Sequence, residues 1–189
     1  MKKGKLIIIS GPSGVGKGSI ITGIKQKFSH IPLAISATTR PPRPHEKNGQ
    51  DYFFLDNAAF DSYIESNHFL EWCNVHNFRY GTLHSQVYPT INNGNHVLLE
   101  IDVQGAEKIY ANIPQDVIRI FIAPPTLKSL SSRLKNRNTE PDEVIKQRLK
   151  NSNRELSFQD QYDHIIINDV LSTAIEQVCL IIDQISNPC

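Results

Sequence analysis

The chain has 189 residues, with a hydrophobic fraction of 39% and a charged fraction of 21%, as is typical of a single globular domain. Its 20 basic and 19 acidic residues nearly cancel, so the net charge of +1 provides no general attraction for nucleic acid or a membrane surface. Three widely spaced cysteines do not make a disulfide framework, and no stretch is apolar for long enough to cross a bilayer. We expect a cytoplasmic protein without nucleic-acid or membrane partners, whose anion sites depend on local placement of Lys and Arg.

The chain opens on a strand, a loop and a helix. Leu6–Ile9 is a β-branched, apolar run of the kind buried on both faces in a parallel sheet. Gly11–Gly18 is rich in glycine and predicts a loop, and the isoleucines that follow are spaced for one face of a helix. Ile31–Ile35 is a candidate second strand.

Between about residues 35 and 93 the strands are shorter and turn residues more frequent. The elements predicted here are a proline-rich loop, a short strand and an antiparallel strand pair, at Thr38–Gly49, Asp51–Leu55, Phe69–Val75 and Phe78–Tyr80. Asp56 is a plausible cap for a helix through Ile64. We interpret this segment as an inserted α+β lobe.

After the lobe, buried strands alternate with helices. The predicted strands are His96–Ile101, Val117–Ile122 and Ile165–Ile167, and the predicted helices are Gln104–Ala111, Leu127–Leu134, Glu143–Leu156 and Leu171–Ile185. Such alternation favours an α/β fold with a parallel sheet flanked by helices on both faces. We expect one domain over residues 1–189, with a core at 1–34 and 94–189 and the inserted lobe at about 35–93.

A phosphate-binding loop is predicted between the first strand and the first helix. The segment Gly11-Pro12-Ser13-Gly14-Val15-Gly16-Lys17 matches G-x-x-x-x-G-K in that structural setting. Glycines let successive backbone N–H groups converge on one anion, the helix adds its positive end, and Lys17 supplies a mobile charge for the β- and γ-phosphates of a nucleotide.

The residue after Lys17 departs from this pattern. Gly18 stands where Ser or Thr normally contacts Mg²⁺, and the hydroxyl of Ser19 is turned away by about 100°. Either Ser19 reaches the metal by a shift or water fills the position. The loop resembles adenylate kinases here, which also place Gly after the Lys and a hydroxyl residue next.

A second anion site is predicted in the proline-rich loop. Arg40 and Arg43 are three residues apart, and their planar donors match phosphate oxygens. Tyr52 and Tyr80 can add hydroxyl donors. An isolated pair of this kind is more often a solvated basic loop, but beside a phosphate loop we interpret it as a binding site.

These motifs and several others together resemble the guanylate kinases nearly end to end. The matching segments are the Gly11–Lys17 loop, the S-x-T-T-R-x-P-R segment beginning at Ser36, Gly49–Tyr52, Phe69–Trp72, Tyr80–Thr82, Ile101–Gly105, Phe121–Pro125 and Ile167–Asp169. The resemblance implies the fold of P-loop nucleoside monophosphate kinases, with a GMP-binding lobe and a short lid. It also implies transfer of the γ-phosphoryl group of ATP to GMP, and to dGMP, within purine nucleotide metabolism.

The resemblance assigns the second substrate to the lobe. Arg40, Arg43, Tyr52 and Tyr80 would clamp the GMP phosphate. Glu71 would accept hydrogen bonds from guanine N1–H and the exocyclic amine, which adenine cannot provide on that edge, and Ser36 and Thr82 would donate near guanine O6. Without the family pattern, Glu71 would read as a surface acid on a strand.

Two acids end a buried strand at the edge where open α/β sheets bind ligands. The family usually has two aspartates here, whereas this chain has Glu100 and Asp102. We expect them to hold Mg²⁺ waters or GMP; the alternative is a carboxylate that caps the next helix near Gln104. No side chain is assigned as a direct metal ligand.

The lid is expected at about 133–148. Arg133, Arg137 and Arg148 flank a polar break and would close over the phosphates, although each could alternatively be helical surface charge. The family pattern R-x-x-G-R-G has Asn136 and Asn138 in place of its glycines.

Asn168, after the last strand, resembles the adenine contact; alternatively it caps a helix or turn. The reaction needs no general base, because the GMP phosphate is a strong enough nucleophile once ATP is aligned. Two other functions stay open: a kinase for a nucleoside monophosphate such as AMP, which Gly18 suggests, and a non-catalytic guanylate-kinase-like binding module. The sequence gives no indication of oligomeric state.

Overall fold

The computed structural model describes residues 3–75, 77–136 and 142–186, and for 135–136 and 142–147 the backbone only. The chain forms two compact units. The first comprises Met1–Ile7, Pro32–Leu99 and Gln104–Val117, and the second comprises Ile8–Ile31, Glu100–Val103 and Ile118–Cys189. The lobe expected at 35–93 lies within the first unit. Across the described ranges, no helix is both long and apolar enough to span a membrane.

Strands and helices alternate along most of the chain. In order they are β1 (Leu6–Ser10), α1 (Lys17–Lys27), β2 (Ala37–Thr38), β3 (Phe53–Phe54), α2 (Asn57–Glu65), β4 (Phe69–Val75), β5 (Phe78–Leu83), α3 (His84–Asn92), β6 (Val97–Glu100), α4 (Val103–Asn112), β7 (Val117–Ala123), α5 (Leu127–Asn136), α6 (Asp142–Leu156), β8 (His164–Ile167) and α7 (Leu171–Ser186). Most of the predicted elements are present, with ends shifted by one to three residues in most cases.

The main sheet has the strand order β6-β1-β7-β8. Every residue of β1 is buried, and β7 and β8 run parallel with Ile120 opposite His164 and Ala123 opposite Ile167. Ile101 N–H donates to the carbonyl of Ile9, which continues the pairing at the carboxyl end of β1. The prediction of an α/β fold with a parallel sheet is confirmed, but β8, at the edge of the sheet, buries only Ile166.

A second, smaller sheet has the strand order β3-β2-β5-β4 and belongs to the first unit. β4 and β5 pair antiparallel as predicted, with Glu71 opposite Thr82 and Cys73 opposite Tyr80. Behind the sheet a cluster of Ala37, Phe60, Phe69 and Leu83 forms a separate apolar core. Asp56 caps α2 as predicted, since its Oδ1 accepts a hydrogen bond from Ala59 N–H at 2.7 Å.

Two predicted strands, one before the lobe and one within it, differ from the structure. Ile31–Ile35 forms only an isolated bridge, in which Leu33 pairs with Leu98, because Pro32 has no N–H to extend the ladder. The strand predicted at Asp51–Leu55 is reduced to Phe53–Phe54. Asp51 is instead part of a turn, where its Oδ2 accepts from Lys47 N–H at 2.7 Å and its own N–H donates back to Lys47.

Helices α1 and α7 pack together in the second unit. The isoleucines of α1 are buried as predicted, and Phe28 just after the helix is buried with them. Gly23 permits this contact: a Cβ there would lie 2.4 Å from Cδ1 of Ile175 on α7. This packing anchors the helix whose first residue is Lys17.

Candidate functional site

The Gly11–Lys17 loop joins β1 to α1 in the shape expected for a phosphate loop. Gly11, Gly14 and Gly16 all have positive φ angles, of 139°, 84° and 102°. A Cβ at Gly11 would lie 2.2 Å from the carbonyl oxygen of Ile122, so the backbone approach there requires glycine. Gly16 also has no side chain with which to cap α1, and the first N–H groups of that helix remain available for an anion.

The side chain of Lys17 lies over this loop. Its ammonium donates to the carbonyl oxygens of Gly11 at 2.7 Å and Pro12 at 3.1 Å. Lys17, at the first position of α1, therefore folds back and places its ammonium against the loop. This is the position expected for a side chain that meets nucleotide phosphates.

Two of the three predicted lid arginines contact the loop. Arg133 donates from Nη1 to the Val15 carbonyl at 3.3 Å and from Nη2 to the Asn168 carbonyl at 2.8 Å. Arg148 donates to the Ser13 hydroxyl at 3.1 Å. These arginines were predicted from the lid pattern, and the structure brings both to the same turn.

Asn168 is only 4% exposed and braces the loop from the carboxyl end of β8. Its Nδ2 donates to the Val15 carbonyl at 2.8 Å, and a Cβ on Gly16 would lie 2.6 Å from that nitrogen. One amide N–H of Asn168 is therefore used to hold the loop. The adenine contact of Asn168 stays a prediction and concerns the other Nδ2–H and Oδ1 of its side chain.

Acidic side chains lie near the start of α1. A Cβ at Gly18 would lie 3.9 Å from Oε2 of Glu100, so the position that lacks a hydroxyl faces a carboxylate. Ser19 is exposed. Asp102 follows Glu100 by two residues and interacts electrostatically with Glu155.

Glu155 was not predicted as part of this site. Burial raises the pKa of its carboxyl and Asp102 raises it further, against the opposing effects of Lys17 and the backbone N–H of Ser13. Its Oε2 has no hydrogen-bond partner within the part of the chain that the structure describes. Glu155 follows Arg148 by seven residues, or about two helical turns, and this spacing was the signal that could have identified it.

In the first unit, Arg40 and Arg43 are linked by a carboxylate. Nη2 of Arg40 donates to both oxygens of Glu46, at 2.8 and 2.9 Å, and Nη1 of Arg43 lies 3.4 Å from Oε1. Arg40 lies over the rings of Tyr52 and Phe54, with its Cζ 5.4 and 5.8 Å from their centroids. The two predicted arginines do converge, and Glu46 is the residue that sequence reasoning missed.

The predicted tyrosines belong to the same cluster. The rings of Tyr52 and Tyr80 meet edge to face at 6.0 Å, and the Tyr80 phenol is near enough to Arg40 to raise the pKa of its guanidinium. We call Arg40, Arg43, Glu46, Tyr52 and Tyr80 the phosphate clamp.

Glu71 and Thr82 lie opposite each other on β4 and β5 and share one face of the small sheet. Glu71 is 6% exposed and Thr82 fully buried, and the Thr82 hydroxyl donates to Oε1 of Glu71 at 2.9 Å. Tyr80 is two residues from Thr82, so it lies on the same face. The register of one strand pair thus places a buried carboxylate on the face that carries part of the clamp.

The predicted residues therefore form two groups, each within one compact unit. The second unit contains the loop Gly11–Lys17, Gly18, Ser19, Glu100, Asp102, Arg133, Arg148 and Asn168, and the first contains Ser36, Arg40, Arg43, Tyr52, Glu71, Tyr80 and Thr82. Ser36 lies just before β2, where its carbonyl accepts from Phe53 N–H at 2.9 Å. Arg137 lies outside the described residues, as does the segment 137–141 of the predicted lid.

A parallel sheet flanked by helices, with a glycine loop between its first strand and first helix, defines the class of P-loop kinase folds. The guanylate kinase family model matches residues 3–185 of the chain. The guanylate kinase of Malacoplasma penetrans is 47% identical over 179 residues, covering 94% of this chain and 91% of the relative, and that of Thermotoga maritima is 43% identical over 183 residues, covering 95% and 86%.

The solved structures agree with the sequence comparison. The crystal structure of guanylate kinase from Anaplasma phagocytophilum superimposes with a TM-score of 0.78 at 27% identity, covering 97% of this chain and 86% of that one. The chain belongs to the guanylate kinase family.

Proposed function

We propose that this protein transfers the γ-phosphoryl group of ATP to GMP, and to dGMP, giving ADP and GDP or dGDP in purine nucleotide metabolism. The proposal rests on two features that occur together in one chain of this family: a phosphate loop that carries Lys17, and a lobe that has a buried carboxylate, Glu71, as well as Arg40 and Arg43. The first group suits a nucleoside triphosphate and the second a nucleoside monophosphate.

The phosphates of ATP would be bound mainly by the backbone. Backbone N–H groups of the loop, apart from Pro12, which has none, and Val15, which donates to the Pro12 carbonyl, would converge on one anion with those of Gly18 and Ser19, and Lys17 adds its ammonium. Arg133 and Arg148, which contact the loop at Val15 and Ser13, are placed to neutralise charge that develops on the transferred group. Arg137 is assigned the same role on the resemblance alone.

The carboxylates beside α1 fit a hard divalent cation. Glu100 offers oxygen ligands near Gly18 and Asp102 follows it by two residues, and oxygen ligands with retained water suit Mg²⁺. When bound, Mg²⁺ neutralises charge on the β- and γ-phosphates. Because Gly18 supplies no hydroxyl, we propose that these acids hold the ion largely through water.

GMP would be bound by side chains of the lobe. Arg40, Arg43, Tyr52 and Tyr80 suit its phosphate, and Glu71 with Thr82 suits the guanine edge. Guanine N1–H and its amine both donate to a carboxylate, whereas adenine would leave the buried Glu71 facing its N1 acceptor. Ser36 is assigned to the guanine side as well.

The chemical step is an in-line displacement without an acid–base residue. An oxygen of the GMP phosphate forms a bond to the γ-phosphorus as the bond to the β–γ bridging oxygen breaks, and ADP leaves with that electron pair. The arginines and Lys17 stabilise the three equatorial oxygens. The cytoplasmic location and the absence of nucleic-acid and membrane partners stay predictions.

A panel of phosphate acceptors tests this proposal against a different monophosphate kinase and against a non-catalytic module. ADP formation would be measured with ATP, with and without Mg²⁺, and AMP, GMP, dGMP, CMP, UMP or dTMP as acceptor. We expect turnover with GMP and dGMP that depends on Mg²⁺, and a kcat/KM for AMP lower by about 10⁴-fold or more. Preference for another acceptor would refute the role of Glu71, and no turnover with any acceptor would favour the binding module.

A further inference from the structure

Glu46 is a carboxylate inside the phosphate clamp, where an anionic ligand is expected to bind. Both its oxygens accept from Nη2 of Arg40, at 2.8 and 2.9 Å, and Oε2 also accepts from the backbone N–H of Arg43 at 2.7 Å. The side chains of Arg40 and Glu46 are only 12% and 14% exposed. Such a carboxylate either competes with the phosphate of the ligand or holds the clamp in shape for it.

The contacts of Arg40 favour the second effect. While Nη2 of Arg40 donates to Glu46, Nη1 donates to the Pro41 carbonyl at 2.7 Å, and the rings of Tyr52 and Phe54 lie against the guanidinium. Partial burial alone would lower the pKa of Arg40, but the hydrogen bonds to Glu46 and Tyr80 raise it. Arg40 is therefore fixed on several sides, and within the described part of the chain Glu46 supplies the only carboxylate among these contacts.

Tyr80 lies near the fixed guanidinium. Its phenol raises the pKa of Arg40, and its ring meets that of Tyr52 edge to face at 6.0 Å. Glu46 thus holds Arg40 near a hydroxyl that is expected to donate to the GMP phosphate.

Glu46 also closes the loop that carries Arg43. Its backbone N–H donates to the Arg43 carbonyl at 3.0 Å while its carboxylate accepts from the Arg43 N–H, so residues 43–46 form a reciprocally bonded turn. The side chain of Arg43 is 62% exposed and its Nη1 is at 3.4 Å from Oε1. Most of the Arg43 guanidinium therefore remains accessible to a ligand.

The charge of Glu46 is maintained at neutral pH. Burial would raise the pKa of its carboxyl, but the Arg43 N–H and the Arg40 guanidinium lower it below its usual value. A competing carboxylate would have to leave these partners whenever ligand binds. A fixed one keeps all of them and leaves the exposed Arg43 guanidinium to meet the phosphate.

We propose that Glu46 is a positioning residue for the GMP phosphate: it holds Arg40 over Tyr52 and Phe54, and it shapes the turn that presents Arg43. The inference rests on the proposed function and deepens it. It predicts that loss of the Glu46 charge weakens recognition of the phosphate and leaves recognition of guanine unchanged.

The test compares GMP with guanosine, which lacks the phosphate, by calorimetric titration of wild-type protein, Glu46→Gln and Glu46→Asp. For Glu46→Gln we expect the Kd of GMP to rise about tenfold, the effect of one lost charge-assisted hydrogen bond, with the Kd of guanosine unchanged. The KM for GMP should rise in parallel while the KM for ATP stays constant. Glu46→Asp keeps the charge on a shorter side chain and should fall between wild type and Glu46→Gln.

Asp61→Asn is the matched control, because Asp61 forms an ion pair with Arg79 in the same unit and takes no part in the clamp. It should leave both ligands' Kd values at wild-type levels. Tighter GMP binding by Glu46→Gln would show competition and overturn the proposal, as would an unchanged Kd or an equal loss for guanosine and GMP. If Glu46→Gln does not fold, the same comparison of the two ligands with Glu46→Asp decides. A wild-type protein that fails to phosphorylate GMP would refute the proposed function instead.

Discussion

The phosphate loop and the phosphate clamp are both suited to anions, but they are built from different parts of the chain. The loop uses backbone: glycines with positive φ between β1 and α1, with Lys17 folded back onto the carbonyls of Gly11 and Pro12. The clamp uses side chains from separate segments, joined by the carboxylate of Glu46 and the pairing of β2, β3 and β5. The loop is therefore a local structure, and the clamp depends on tertiary packing.

This difference has a consequence for substitutions. A backbone site keeps most of its N–H donors when one side chain is removed, so its failure should appear in the chemical step, where the side-chain charge acts. A side-chain site loses recognition itself, so its failure should appear in substrate affinity and selectivity. The predictions below test that contrast, beginning with the largest effect.

Lys17→Ala should lower kcat by about 10²- to 10³-fold, because a preorganised charge at the transferred phosphoryl group is lost while the backbone loop remains. The KM for GMP should change little. Steady-state kinetics and the thermal midpoint check both parts. Lys25→Ala is the matched control, since Lys25 lies on the same helix and also donates to two carbonyls, of Ser29 and Ile31. Equal losses in the two variants would contradict the role of Lys17.

Glu71→Gln should lower kcat/KM for GMP by about 100-fold, mainly through KM. The amide offers one acceptor oxygen where guanine presents two donors, and its NH₂ group meets one of them. The ratio of kcat/KM for GMP to that for AMP should fall with it. Competition assays with both acceptors measure the ratio.

Glu65→Gln provides the control for this substitution, because Glu65 is an exposed acid at the end of α2 in the same unit. It should retain wild-type selectivity. A Glu71→Gln enzyme that still strongly prefers GMP would show that the guanine edge is read by other groups.

The sequence predicted the loop well because its determinants are contiguous. Gly11, Gly14 and Gly16 at fixed spacing, a buried strand before them and an amphipathic helix after them are sufficient for the turn. The buried parallel strands were predictable for the same reason, since an apolar β-branched run carries its own signal. Arg40, Arg43 and Glu71 required the family resemblance, because a charged residue in a loop or on a strand has no local signature of binding.

What the sequence did not predict depends on partners that are distant or context-dependent. Glu46 lies among prolines and other charges, and its importance follows from the tertiary position of Arg40 against Tyr52 and Phe54. Glu155 becomes a half-buried acid because α6 returns to the loop, where the backbone N–H of Ser13 bonds its carboxyl. Ile31–Ile35 has strand composition, yet Pro32 limits it to one bridge.

Glu155 gives the smallest expected effect and tests whether a carboxylate near the backbone loop differs from Glu46 in the clamp. The pKa of Glu155 is raised, chiefly by burial, so the folded state favours the protonated form. Its contribution to stability is fully present below the unfolded pKa, about 4.3, and is lost as pH rises through the higher folded value. Glu155→Gln, which is neutral throughout, should therefore melt above wild type at pH 7.5 and near it at pH 4.5, whereas Glu65→Gln should show no such divergence.

Glu46 has a lowered pKa, so Glu46→Gln should show the opposite trend, with a stability loss at pH 7.5 that narrows toward low pH. The measurement is the melting temperature of each variant relative to wild type, by calorimetry across pH. If Glu155→Gln and Glu46→Gln showed the same pH dependence, the proposed difference between a carboxylate near the loop and one in the clamp would be refuted.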